Sequence, residues 1–170
     1  IMASILKVNT IQDATNSNTA LSIDSSGRVK TPKVIHFHVK GAGGWIDHGS
    51  SDVTFFKTST QAVEIQTNVD SCYDASTGRF TVPSGMDGLY QFNCNLYAND
   101  SGDSSNVGRI YKNGSAWTDT FFLVANADDY SDNTIEFGWI MSLVAGDYVN
   151  VMVRNDIYAS HSYWMGFFVG

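Results

Sequence analysis

The chain has 170 residues and a formal net charge of −7, from 10 basic and 17 acidic side chains. This acidic balance argues against binding to nucleic-acid phosphates, which requires basic patches. No apolar run approaches the roughly 20 residues that a membrane-spanning helix needs, so membrane insertion is not expected. The 15 glycines and the aromatic content of 13% favour short strands separated by turns, as in a β-sandwich or barrel.

Residues 1–33 differ from the rest of the chain. Four basic and two acidic residues give them a net charge of +2, whereas six basic and fifteen acidic residues give residues 34–170 a net charge of −9. Thr, Asn and Ser dominate the segment, and its sparse apolar anchors are Ile5, Val8, Ile11, Leu21 and Ile23. Because too little is apolar for an independent core, we expect the segment to pack on partner chains or to lie along a stem.

The sequence of residues 5–29 resembles a segment that recurs in bacteriophage tail-fibre proteins. It reads Ile-Leu-Lys-Val-Asn-Thr-Ile-Gln-Asp at 5–13, Asn-Thr-Ala-Leu-Ser-Ile-Asp at 18–24 and Gly-Arg-Val at 27–29. In those proteins the segment precedes a receptor-binding tip, so the resemblance implies a virion protein that contacts other tail proteins through residues 1–33. The alternative is an ordinary N-terminal linker.

After this segment, short alternating runs predict a series of strands. The first, over residues 34–39, places Ile35 and Phe37 on one face and His36 and His38 on the other. Two histidines on one strand face could hold a metal around a threefold axis. A solvated or interfacial role is favoured, because no further ligands are evident in the chain. Further strands are predicted at 45–46, 53–56, 62–65, 79–82, 89–98, 108–111, 115–124, 135–143, 149–153 and 161–169.

Residues 73–92 hold two strands and the turn between them, since Pro83 cannot donate to a strand ladder and glycines follow it at 85 and 88. This stretch resembles the signature of the globular head domain of complement component one q. The residues that carry the resemblance are Tyr73, Asp74, Thr77, Gly78, Phe80, Pro83, Gly88, Leu89, Tyr90 and Phe92. Later matches are the Lys-Asn-Gly turn at 112–114, the Gly-Asp pair at 146–147 and the aromatic–glycine–aromatic pattern of the last strand.

The resemblance implies an all-β jelly-roll sandwich, shared with tumour-necrosis-factor-like cytokines, that assembles as a homotrimer, with a stem at residues 1–33 and a head at residues 34–170. The last strand favours a trimer independently, because residues 161–169 are apolar on both faces and a sandwich buries one face of each sheet. The interface residues predicted on this ground are Tyr163, Trp164, Phe167 and Phe168. The alternative is that residues 1–33 of the same chain cover the second face.

The cysteines are Cys72 and Cys94 alone. Cys94 alternates with Tyr90 and Phe92 toward the predicted core, where a free cysteine behaves as a small hydrophobe. Two cysteines do not make a disulfide framework. We therefore expect free thiols, and pairing of the two is the alternative.

Catalytic motifs are absent from the sequence, which contains no Gly-x-Ser-x-Gly, His-Glu-x-x-His, Cys-x-x-Cys or Gly-x-Gly-x-x-Gly at a strand–helix junction. Asp128 and Asp129 are adjacent, as is typical of solvated turns, whereas a glycosidase holds its two carboxylates across a cleft. The sequence therefore predicts a protein that is not an enzyme.

Three polar loops are the predicted binding region. Alternate loops of a jelly roll gather at one end, so the resemblance implies that 99–106, 125–132 and 155–160 lie together. The ligand-binding residues predicted there are Asp100, Asp103, Asp128, Asp129, Tyr130, Asp132, Asp156 and Tyr158. Tyrosines beside polar groups suit sugar rings. Ca²⁺ is bound by about six to eight oxygens, so Asp128, Asp129 and Asp132 are the predicted ligands of a calcium ion, which the protein would not require. The alternative is that these loops only confer solubility.

These features predict a non-enzymatic, trimeric receptor-binding tip of a bacteriophage tail fibre that recognises a glycan or protein on the bacterial host surface. Such a protein would be assembled in the host cytoplasm and act outside the cell as part of the virion. Its partners would be two further copies, other tail proteins and the host receptor, with no nucleic acid and no membrane insertion. The alternative is a secreted or cell-surface bacterial lectin-like trimer.

Overall fold

The computed structural model describes residues 10–12, 19–30, 34–99, 106–117, 122–123, 132–154 and 156–170. The chain divides into two compact units, residues 1–34 and 35–170. No helix in the described part is long and apolar enough to cross a membrane.

The first unit contains a small antiparallel sheet of three strands, in the order β1 (Thr10–Gln12), β2 (Thr19–Ile23) and β3 (Val29–Lys30). The turn between β2 and β3 is built around Asp24. The Asp24 carboxylate accepts hydrogen bonds from the backbone N–H groups of Ser26 and Arg28, at 2.9 and 3.0 Å, and Gly27 has a φ of +78°. Asp24 therefore closes the turn with its own side chain, as an Asx turn does.

The second unit is a sandwich of two antiparallel sheets, each with seven strands among the described residues. The first sheet contains β4 (His36–Ala42), β5 (Trp45–Asp47), β7 (Ala62–Asn68), β10 (Gly88–Asn99), β14 (Asp132–Leu143), β16 (Asp156–Tyr158) and β17 (Tyr163–Phe168). The second contains β6 (Val53–Thr54), β8 (Tyr73–Asp74), β9 (Arg79–Thr81), β11 (Asn106–Lys112), β12 (Ser115–Ala116), β13 (Phe122–Leu123) and β15 (Tyr148–Val153). Two short 3₁₀ turns, Val69–Ser71 and Ala159–His161, complete the described secondary structure. The predicted all-β sandwich is confirmed.

Some predicted boundaries are wrong in detail. The predicted loop 155–160 contains a strand, β16, that pairs with both β5 and β10, followed by a 3₁₀ turn. Within the strand predicted at 115–124, the structure describes the short strands β12 and β13, and residues 118–121 lie outside the described residues. Strands this short cannot be predicted from the sequence pattern, because two or three residues are too few to show alternation.

The core between the sheets is built by the alternation predicted for β10. Tyr90, Phe92, Cys94, Leu96 and Ala98 all point inward and are at most 2% exposed. Each large apolar side chain buried in this way contributes about 1.5 to 3 kcal/mol relative to exposure.

Aromatic rings from both sheets meet in this core around Phe37. Its ring lies 5.3 Å from the ring of Phe80 and 4.6 Å from that of Trp164, measured between centroids. Gly166 makes room for the cluster, because a Cβ there would lie 2.5 Å from Phe92 and 2.7 Å from Phe37. Glycine is therefore required on the inner face of β17.

The position of Trp164 corrects the predicted trimer interface. Trp164 is 0% exposed, and Phe168 points the same way, with its ring 5.2 Å from that of Tyr90. Trp164 belongs to the core and Phe168 is partly buried against it, because β17 is an inner strand, paired with β10 and β4, and its even-numbered residues face the second sheet. Tyr163 and Phe167 lie on the outer face.

Both cysteines are free thiols, as expected, and both are buried, Cys72 at 3% and Cys94 at 2% exposure. Burial raises the pKa of Cys72 to about 12 and that of Cys94 well above its ordinary value. Neither sulfur is a reactive thiolate near neutral pH.

The Lys-Asn-Gly turn and the Gly-Asp pair interlock. Asn113 exchanges hydrogen bonds with Tyr148, from the Asn113 N–H to the Tyr148 carbonyl and from the Tyr148 N–H to the Asn113 Oδ1, each at 2.9 Å. The Asp147 carboxylate accepts a hydrogen bond from Asn113 Nδ2 at 2.7 Å and forms an ion pair with Lys112 Nζ at 2.9 Å. The two motifs thus hold β11 and β15 in register.

Candidate functional site

Four partly exposed rings lie together where β10 ends and β17 begins. We call the group the aromatic platform; its members are Trp45, Tyr97, Tyr158 and His161. Ring centroids are 5.0 Å apart for Trp45 and Tyr158, 5.7 Å for Trp45 and Tyr97, and 4.6 Å for Tyr158 and His161. Trp45 is 42% exposed, which is unusual for so large an apolar side chain.

Strand register explains why these rings face solvent. In the β5–β16 pair, Asp47 lies opposite Asp156, Ile46 opposite Ile157, and Trp45 opposite Tyr158. Ile157 is fully buried. Because side chains alternate along a strand, Asp156 and Tyr158 on either side of it point outward. An aromatic pair and a carboxylate pair therefore lie side by side on one face.

Ser162 fixes the tyrosines of the platform. Its hydroxyl is 0% exposed, accepts a hydrogen bond from the Tyr97 N–H at 3.0 Å and donates to the Tyr158 carbonyl at 3.0 Å. Since β17 begins only at Tyr163, this hydroxyl replaces a strand partner for Tyr97. The platform backbone is thus held by a buried side chain.

The glycines at 41–44 hold the same region. The Ala159 N–H donates to the Gly44 carbonyl at 3.0 Å, and the Gly41 N–H donates to the Ser162 carbonyl at 3.0 Å. A Cβ at Gly41 would lie 2.5 Å from the Ala159 carbonyl oxygen. This glycine segment lets the 3₁₀ turn approach closely, which is a structural role.

The predicted binding loops are only partly within the described residues. Asp156 and Tyr158 are described, and both lie at the aromatic platform. The others lie outside the residues, or the side chains, that the structure describes; they are Asp100, Asp103, Asp128, Asp129, Tyr130 and Asp132. Calcium binding by Asp128, Asp129 and Asp132 stays a prediction, and the described part contains no group of three His, Cys, Asp or Glu that could hold a metal.

The described flanks of the three loops do meet. Asn99 lies opposite Asp132 in the β10–β14 pair, and Ala98 lies opposite Ile157 in the β10–β16 pair. The ends of the predicted loops therefore lie at one end of the first sheet. Trp45, Tyr97 and His161 were missed because they come from three distant segments, and only the strand pairing brings them together.

The outer face of the first sheet is a second candidate surface. Register aligns one polar row across five strands; its members are Glu136, Asn95, Tyr163, Lys40 and Glu64. Asn95 Nδ2 donates to Glu136 Oε1 at 3.2 Å, and Asn95 is only 5% exposed although it points away from the core. Burial, reinforced by Glu136, raises the pKa of Tyr163.

The neighbouring row contains a hollow. A depression of about 420 Å³ lies over Gly138, lined by Asn93, Glu136, Tyr163 and Met165 among others. A Cβ at Gly138 would lie 2.7 Å from Asn93 Oδ1, so glycine keeps this depression open. His38 stands edge-on to Tyr163, with centroids 6.0 Å apart, and burial lowers its pKa. This face mixes apolar and hydrogen-bonding groups, as protein interfaces do.

Comparison with known proteins identifies the head. The family model of the C1q domain matches residues 47–170. The globular domain of zebrafish complement 1qA protein is similar, with a TM-score of 0.58 at 15% identity over 80% of this chain and 98% of that one. Murine APRIL gives a TM-score of 0.57 at 11% identity over 81% of this chain and 100% of that one. Eiger TNF from S. frugiperda gives a TM-score of 0.50 at 15% identity over 81% of this chain and 93% of that one. No curated protein sequence matches the chain.

These matches confirm the predicted jelly-roll fold and the complement one q-like head. The resemblance of residues 5–29 to tail-fibre proteins has no match among them and stays a prediction. Domains of the matched family are commonly trimeric binding modules and are mostly non-enzymatic. Since the family model covers most of the described jelly roll, the chain belongs to the C1q domain family.

Proposed function

We propose that the chain is a non-enzymatic, trimeric binding module that recognises a glycan through the aromatic platform. The observation that carries the proposal is the exposed Trp45–Tyr158–Tyr97 ring group beside the carboxylates of Asp47 and Asp156. Aromatic rings bury the apolar face of a sugar, and carboxylates accept hydrogen bonds from its hydroxyls. The backbone beneath is already fixed by Ser162, so binding requires little ordering.

The trimer would use the outer face of the first sheet. Tyr163, Met165 and Phe167 form an outward row along β17, flanked by the Glu136–Asn95 hydrogen bond and by His38. Its support is the family, whose domains are commonly trimeric. Three copies would present three platforms on one assembly, and multivalency raises weak sugar affinities without new contacts.

The biological setting that we propose is the tip of a bacteriophage tail fibre. Its support is the resemblance of residues 5–29 to segments that precede receptor-binding tips. In this setting the ligand is a glycan or protein on the bacterial host surface, residues 1–33 contact other tail proteins, and the protein is part of an extracellular virion. The same platform would also serve a secreted or cell-surface bacterial lectin-like trimer, which is the second candidate setting.

A binding assay with the full-length protein tests the proposal. Labelled protein is applied to an array of bacterial surface glycans and to candidate host cells, alongside Trp45→Ala, Trp45→Phe and Val144→Ala. Loss of one stacking ring is expected to lower affinity per site about three- to tenfold. Trp45→Phe should retain part of the binding, and Val144→Ala, at a residue 56% exposed in a turn, should retain all of it.

Two outcomes contradict the proposal. Binding that Trp45→Ala leaves unchanged would move recognition away from the platform. An array and a set of cells on which the parent protein binds nothing, at concentrations where light scattering shows a trimer, would oppose glycan recognition itself. The fibre setting is tested separately, by asking whether the purified protein blocks adsorption of a bacteriophage to the cells that it labels.

A further inference from the structure

The small sheet of the first unit is amphipathic. Ile11 lies opposite Leu21, and Ile23 lies opposite Val29. Leu21 and Ile23 are two residues apart on β2, so alternation sends all four aliphatic side chains to one face. Ser22, between them on β2, lies on the other face, opposite Thr10 and Lys30.

Most of this apolar face, which we call the stem face (Ile11, Leu21, Ile23 and Val29), is exposed. Ile11 is 48% exposed, Ile23 44% and Val29 64%. A sheet of three short strands needs a covered apolar face to be stable in water. The described strands of the first unit place no second layer on that face.

We propose that the stem face is covered by the stem faces of two further copies of this chain, which forms a three-sided apolar stem. The inference rests on the trimer of the proposed function. Four aliphatic side chains are too few for an independent partner, because stable complexes between free proteins bury about 1,200 Å² or more. Copies that are already joined through their heads meet at an effective concentration near the millimolar range, so a small apolar surface is enough.

The turn beside the stem face is compatible with this packing. Asp24 Oδ2 pairs with Arg28 Nε at 2.8 Å within the same chain, so the β2–β3 turn neutralises its own charge. Threefold symmetry brings the same residue of each chain toward one axis. A cysteine on the stem face of one chain would therefore meet its own copy, whereas a cysteine on the opposite face would point away from the axis.

Disulfide trapping in the full chain tests the inference. Ile23→Cys and Val29→Cys place a thiol on the stem face, and Ser22→Cys places one on the opposite face of the same strand. The native thiols should not form crosslinks between chains, because Cys72 and Cys94 are only 3% and 2% exposed. After mild oxidation, non-reducing electrophoresis should show dimers for Ile23→Cys and Val29→Cys, each trimer leaving its third chain single. Ser22→Cys and the parent should stay monomeric.

Equal crosslinking of Ile23→Cys and Ser22→Cys would overturn the inference. So would the absence of crosslinks in both stem-face variants when light scattering shows that they are trimers, a result that would assign the face to another surface, such as the acidic second unit. A parent protein that is monomeric in light scattering would overturn the trimer and this inference together. Failure to bind any glycan would contradict only the proposed function, because the crosslinks do not depend on a ligand.

Discussion

Ser162 links the fold to the platform, and its replacement by alanine gives the sharpest prediction. The substitution removes two hydrogen bonds of 3.0 Å, one from the Tyr97 N–H and one to the Tyr158 carbonyl. A hydrogen bond contributes about 0.5 to 1.5 kcal/mol net, and a buried group left without a partner costs about 1 to 3 kcal/mol. We therefore expect the free energy of unfolding to fall by about 2 to 3 kcal/mol.

For a domain of this size, a loss of about 2 kcal/mol lowers the melting temperature by roughly 5 to 10 °C. Differential scanning calorimetry of the parent and of Ser162→Ala measures the difference. Ser160→Ala is the matched control: it lies in the same turn, and its backbone N–H, which donates to the Gly43 carbonyl at 3.2 Å, survives the change. Ser162→Ala should also weaken binding by the platform.

A melting temperature of Ser162→Ala equal to that of Ser160→Ala would refute the reasoning, because it would show that the buried hydroxyl carries no net stability. Unchanged binding together with the expected destabilisation would refute only the positioning role. The two readouts therefore separate stability from recognition.

Two further substitutions test the core and the interlocked turns. Gly166→Ala should destabilise the head by about 1 to 3 kcal/mol, measured by denaturant unfolding, because its methyl group would lie 2.5 Å from Phe92. Hydrogen bonds from Asn113, then from Lys112, lower the pKa of Asp147 to about 2. The folded pKa lies below the unfolded value of about 4, so the stability from this carboxylate is present above about pH 4 and is lost as the pH falls toward 2. Asp147→Asn should remove this part of the acid dependence of the melting temperature, and a parent-like acid profile would contradict the assignment.

The sequence predicted the scaffold well where one face of a strand is apolar and the other polar. In β10 the alternation of Tyr90, Phe92 and Cys94 identified the face that is buried, and the turn chemistry around Pro83 and Gly88 predicted where the strand starts. The same reasoning failed at β17, which is apolar on both faces. Alternation separates the two faces of a strand but does not say which one meets the second sheet.

Gly166 could have indicated which face of β17 points into the core. A glycine inside a strand often marks close approach of other groups, and the close approach here is by the Phe37 and Phe92 rings on the inner side. Trp164 shares the face of Gly166, so it belongs to the core.

The platform could be predicted only in part because its members share no local pattern. Tyr158 stood out as a tyrosine in a polar stretch, whereas Trp45 and Tyr97 lie at the ends of strands whose pairing is set by long-range contacts. The β5–β16 register that places Trp45 opposite Tyr158 depends on two strands of three residues each. Strands so short carry too little alternation to fix a register from sequence.

The residues that identify the family and the residues proposed to bind lie at opposite ends of β10. Gly88 at its start lies opposite Leu143, just before the turn of Asp147, whereas Ala98 near its end lies opposite Ile157 beside the platform. The groups around the start of β10 satisfy backbone hydrogen bonds, so substitutions at that end lower the stability of the fold. The Trp45 side chain makes no hydrogen bond among those described and is 42% exposed, so its loss should leave the fold nearly unchanged. Surface rings of this kind can change between relatives at little energetic cost, which is why a family signature reveals the sandwich and not its ligand.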